Sequence, residues 1–219
     1  HVGGALGAGF RDGGSDGTET FCGNVFRGNT GGAGALGGAL FRTPDLAKQT
    51  TIIDRCLFED NHADSAGAGY FHNSTLVITA STFAKNVGKG LGTIQADGTT
   101  FDFTNDTFYD NHSAAGVGAT LSLFGGDGKL VNCTFTRNRC DADNMFAAVI
   151  FGSPKLTVQN CLMADNTGTN PTEPMQCKLD AASDAALFAD PTPLTLPSSF
   201  APLADDDAIL EPITGTRAV

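Results

Sequence analysis

One short phrase recurs through this chain and restricts its fold more than any other feature: CLFEDN, STFAKN, DTFYDN, CTFTRN and CLMADN are near-copies of each other. With FRGN as the first copy, the repeats fall at Phe26, Phe58, Phe83, Phe108, Phe135 and Met163, at intervals of 32, 25, 25, 27 and 28 residues. A nearly constant period of this length marks a chain of stacked, like supersecondary units. The unit keeps its length while the loops between copies vary.

Each later copy follows a strand-like segment: TTIIDR, TLVITA, TFDFTN, GKLVN and KLTVQN. Five residues before the repeat aromatic stand Ile53, Ile78, Phe103, Leu130 and Val158, and seven before it Leu76, Phe101 and Leu156. The position between those and the repeat is mostly polar (Asp54, Thr79, Thr104, Gln159), so the period is two and one face is buried. A third segment, rich in glycine and alanine, follows most copies, as in GGAGALGGALF and AGAGYF. Three short strands in roughly 25 residues, without 3.6-residue periodicity, predict an all-β chain wound as a right-handed parallel β-helix of about six to seven coils.

In such a solenoid equivalent residues lie over one another at about 4.8 Å. The repeat then reads as two ladders. Phe26, Phe58, Phe83, Phe108, Phe135 and Met163 fill the core, with glycine and alanine on the neighbouring strand leaving room for them. Asn29, Asn61, Asn86, Asn111, Asn138 and Asn166 stack at the bend, where their amides bond one another and the turn backbone.

FxxN paired with GGA and a following aliphatic residue, as in GGAL at Gly3–Leu6 and again at Gly37–Leu40, resembles the polymorphic outer membrane protein repeats of secreted right-handed β-helix proteins. The likeness covers roughly residues 1–170, with Met163 replacing one Phe and the later GGA copies degraded. The tail LFADPTPLTLPSSFAPLADDDA is similar to the segment that leaves the last coil of such proteins. The resemblance implies an extracellular, often adhesive β-helix and supplies no catalytic residue set. Two regions are expected: a repeat domain over 1–170 and a capping tail over 171–219, where seven prolines from Pro171 to Pro212 oppose strand continuation. HVGGALGAGF opens as if in mid-coil without a polar cap, which points to upstream sequence or to end-on pairing with another copy.

The net charge of −11 argues against a nucleic-acid partner, and no apolar run reaches the length of a membrane span. Two residues after the repeat aromatic come Asp60, Lys85, Asp110, Arg137 and Asp165, an alternating outward column that reads first as a solvated charge ladder. Were the chain an enzyme, Asp60, Asp110 and Lys85 are the candidates for glycan cleavage or uronate proton abstraction. His62 and His112 share a DNH context two coils apart, about 10 Å by stacking and too far for one metal ion. No cofactor is called for. Asp12 and Asp16 in RDGGSDGTE are weak calcium candidates without an established ligand spacing, and His1 is a weak copper candidate.

Six cysteines without a CxxC pair suggest disulfides in an oxidising compartment. Cys140 with Cys177, both placed in loops, is the first pairing. Cys133 with Cys161 stack as thiols or as an inter-coil bridge, and Cys22 with Cys56 is a further candidate. Thr82, Thr107 and Thr134 form a short outward row, too narrow for an ice-binding plane. Of the sequons at Asn73, Asn105, Asn111 and Asn132, Asn73 and Asn105 look accessible. The expected role is a non-catalytic secreted or cell-surface platform that meets a glycan, a protein or copies of itself. A polysaccharide lyase or glycoside hydrolase and a self-assembling filament or sheath subunit are the alternatives.

Overall fold

The computed structural model describes residues 17–43, 49–115, 120–141, 149–152, 155–168 and 177–179. They are all-β, wound as a β-solenoid. Four sheets run along it with six, five, six and six strands, and every pairing is parallel. No helix among the described residues is long and apolar enough to cross a membrane. Asp12, Asp16 and His1, and most of the tail from residue 171 onward, lie outside the described residues.

The first sheet carries the long strands Gly17–Cys22, Gln49–Asp54, Thr75–Thr79, Thr100–Thr104, Asp127–Val131 and Lys155–Gln159. Its alternation is the one read in the sequence: Leu76, Ile78, Phe101, Phe103 and Leu130 are buried, and their neighbours are not. The second sheet is the repeat itself, in three-residue strands such as Leu57–Glu59 and Thr107–Tyr109. Where the sequence predicted three strands per coil, a fourth intervenes. The two-residue strands His62–Ala63, Val87–Gly88, His112–Ser113, Arg139–Cys140 and Thr167–Gly168 form a narrow sheet directly after the asparagine. The glycine- and alanine-rich sheet closes the cross-section, from Leu40–Arg42 to Cys177–Leu179. That last strand pairs with Ile150–Gly152 and belongs to the segment assigned from sequence to the capping tail.

Two left-handed bends bracket the repeat strand in every coil. Three residues before the aromatic, Arg55, Ala80, Asn105, Asn132 and Asn160 have φ of 49–60°, apart from the glycine that opens the series. Two residues after it, Asp60, Lys85, Asp110, Arg137 and Asp165 have φ of 51–56°. A left-handed L-residue costs about 1–2 kcal/mol. The coil above offsets this, because the bend N–H groups are paired: Arg55 N–H donates to Thr79 O, Asp60 N–H to Ala84 O and Asp110 N–H to Thr136 O.

The glycines have a different task from the one expected. A Cβ on Gly38 would collide with Gly67 O, and one on Gly88 with Ser65 O, so these glycines permit backbone-to-backbone approach of successive coils. Those that do make room for rings serve Phe71 (Gly69) and Phe101 (Gly128), not the repeat ladder. At the first coil of the described stack Arg42 points inward in register with Phe71. It pairs with Glu19, and its guanidinium lies 5.7 Å from the Phe21 ring, so a charged pair covers that end of the apolar column.

Candidate functional site

The two ladders are continuous. Successive rings of Phe26, Phe58, Phe83, Phe108 and Phe135 lie 4.6–4.9 Å apart, tilted by 6–15°, and Met163 extends the register. The interior asparagines saturate every polar valence of their amides. Asn86 Nδ2 donates to Phe58 O at 2.9 Å and to Asn111 Oδ1 at 3.0 Å. Its Oδ1 accepts from Asn61 N and Asn61 Nδ2. The same four-bond pattern recurs at Asn61, Asn111 and Asn138, and Asn29 and Asn166 are the first and last rungs among the described residues. Such a network is worth having only if complete, since a buried amide with one bond missing costs about 1–3 kcal/mol. The ladder residues therefore form a scaffold, as the repeat suggested.

The chemistry-bearing residues lie on the ridge beside it. Asp60, Lys85, Asp110, Arg137 and Asp165 share one column, and all five sit in the left-handed bend. Asp60 turns along its own coil, where His62 Nε2 donates to its Oδ1 at 2.9 Å. Arg137 lies over Tyr109 one coil back, 5.9 Å from the ring centroid and bonded to its hydroxyl at 3.1 Å. Asp60 and Asp110 stand two coils apart, about 10 Å between backbones by stacking.

His62 and His112 also stand two coils apart, with Val87 between them in the narrow sheet. His112 Nε2 donates to Asp141 Oδ2 at 2.8 Å, and Arg139 joins from the next strand, with Nε 3.1 Å from Asp141 Oδ1. Asp64 accepts Gly34 N–H and Lys89, which together hold its carboxyl below the usual range. Among the described residues no group of three His, Cys, Asp or Glu side chains could hold a metal ion.

A further polar cluster escaped the sequence reading, which took the third sheet as small-residue filler. Tyr70 hydroxyl donates to Asp97 Oδ2 at 2.9 Å, and Gln95 Nε2 donates to the same carboxylate. Ser65 hydroxyl donates to Gln95 Oε1, and Asn73 Nδ2 to His72 Nε2. Burial, then the hydrogen bond to Asp97, pushes the Tyr70 hydroxyl well above its ordinary range. The bonded pairs are 1–30 residues apart in sequence, and the Tyr70–Asp97 and Ser65–Gln95 pairs span different coils, so no local motif announces them.

Two residues before each aromatic runs another column, Cys56, Ser81, Asp106, Cys133 and Cys161, of which the sequence reading stacks the cysteines and misses Ser81 and Asp106. Ser81 Oγ accepts Cys56 N–H at 3.0 Å, and Asp106 Oδ1 accepts Ser81 N–H at 2.8 Å, so each caps the corner of the preceding coil. Asp106 Oδ2 is buried without a partner, and desolvation pushes the carboxyl up to about 7.

The disulfide expectations change accordingly. Cys22, Cys56, Cys133 and Cys161 are thiols. Cys22 is exposed beside Arg55 and Asp54 while Cys56 faces inward toward Phe21 O, so that candidate pair is divided by the wall of the coil. Cys140 and Cys177 are not in loops but on strands of two different sheets. The row Thr82, Thr107, Thr134 is in register between Leu57 and Leu162. A longer threonine column, Thr18, Thr50, Thr75 and Thr100, lies on the first sheet and was not anticipated. Asn111 is 2% exposed, as its ladder role requires, whereas Asn132 is exposed like Asn73 and Asn105.

Stacked parallel strands around a phenylalanine core and an asparagine corner define a parallel β-helix. Beyond that class, the chain matches no family model, no curated protein and no solved structure.

Proposed function

We propose that this β-helix is a non-catalytic extracellular or cell-surface platform whose corner ridge meets a glycan or protein partner. The observation that carries the reading is how the ridge charges are spent. Asp60 with His62, Asp141 with His112 and Arg139, and Asp64 with Lys89 each close within a coil or with an adjacent one. Groups recurring at the coil spacing present a repeated surface to an extended ligand and do not converge on one reacting atom. The likeness of the paired FxxN and GGA motifs to polymorphic outer membrane protein repeats points the same way.

The test is a binding screen and a turnover assay run on one preparation. Saturable capture of a glycan or of cells without product release is the expected result. Release of product from an acidic or neutral glycan, abolished in Asp110→Asn, would overturn it.

A further inference from the structure

Cys133 and Cys161 occupy the same place on consecutive coils. The strands that follow them pair in register, Thr134 with Leu162, and Leu162 N–H donates to Cys133 O at 2.9 Å. That backbone pairing holds their Cα atoms near the ~4.8 Å stacking distance, inside the ~4.4–6.8 Å a disulfide spans. Cys133 is fully buried in the apolar core, and Cys161 packs against that core while remaining partly open. Cys133 Sγ–H faces the carbonyls of Phe103 and Val131 at 3.5 Å, and Cys161 Sγ lies 3.4 Å from Gln159 O.

The pair is asymmetric in a chemically useful way. The neighbouring Cys161, burial and the charge of Asp106 all raise the Cys133 thiol, so it keeps its proton. The neighbouring Cys133 in turn lowers the Cys161 thiol. A thiolate is the attacking species in thiol–disulfide exchange, and access decides which thiol reacts first. Both criteria select Cys161.

We propose that Cys133 and Cys161 are an oxidisable dithiol, with Cys161 the attacking thiol, Cys133 the resolving one and a small-molecule disulfide the oxidant. Cys161 sulfur attacks one sulfur of the oxidant RSSR, breaking its S–S bond, releasing RSH and leaving a mixed disulfide on Cys161. Cys133 sulfur then attacks Cys161 sulfur, expelling the second RSH. Two cysteine thiols are oxidised to one cystine, RSSR is reduced to two RSH, and the two thiol protons leave on those products. The cross-link ties one coil to the next where the backbones are already in register.

The experiment treats the folded full chain with oxidised glutathione and maps the cysteine peptides by mass spectrometry. A peptide joining Cys133 to Cys161 is expected. Cys133→Ser is expected to stop at a glutathione adduct on Cys161, and Cys161→Ser to leave Cys133 unmodified. In the untreated protein, Cys161 should alkylate at least about tenfold faster than Cys133. The wild-type map needs no variant to fold. Absence of the joined peptide, a cross-link that uses a different cysteine, or faster alkylation at Cys133 would refute the assignment.

Discussion

Replacing Asn111 by Ala removes four hydrogen bonds at once. Asn86 N and Asn86 Nδ2 lose their acceptor at 3.0 Å each. Phe83 O loses its donor at 2.8 Å, and Asn138 Oδ1 loses one at 2.9 Å. At a net ~1 kcal/mol per bond, with the orphaned donors buried, the loss is about 4 kcal/mol. That is a large share of the ~5–15 kcal/mol holding a domain. Asn29→Ala at the end of the ladder removes one amide-to-amide bond from a part-buried site and should cost only about 1 kcal/mol. Urea unfolding followed by far-ultraviolet circular dichroism measures both. Asn111→Asp separates hydrogen bonding from shape: it keeps the volume but places carboxylate oxygens against Phe83 O and Asn138 Oδ1, and should be at least as damaging as Ala. Equal costs at Asn29 and Asn111, or an Asp variant of wild-type stability, would refute the ladder as a complete network.

Two further outcomes follow from single residues. Because Asp106 is raised to about 7 from 3.8, the folded state binds the extra proton. The stabilisation is full below pH ~4 and lost as pH rises through about 7, at most about 4 kcal/mol. Unfolding free energy measured from pH 4 to 8 should therefore fall, and the slope should flatten in Asp106→Asn; an unchanged slope contradicts the assignment. Ala80, exposed with φ of 49°, should be improved by Gly, reversing the usual sign for that change and raising the urea midpoint by up to ~1 kcal/mol of stability.

The scaffold was legible because its signal is local and repeated. Phe83 and Asn86 lie three apart within one phrase, and Ile78 stands five before the aromatic, so aligned copies expose the inward columns directly. The left-handed bends were not legible. Arg55, Ala80 and Asn105 share one φ region despite unlike side chains, since stacked backbone bonds impose it and side-chain preference does not. The two-residue strands after each asparagine are too short to show any period. The polar columns through Ser81 and Asp106, and through Tyr70 and Asp97, join groups on different coils, and no window of sequence contains both partners.

What the sequence determined alone was the period, the β class and the identity of the ladder residues, because stacking turns one local pattern into the whole core. Tertiary structure decided the four-sided cross-section and which charges meet. Those depend on how loops of unequal length bring residues roughly 25–30 apart into register, and a period specifies stacking along the axis without specifying the path around it.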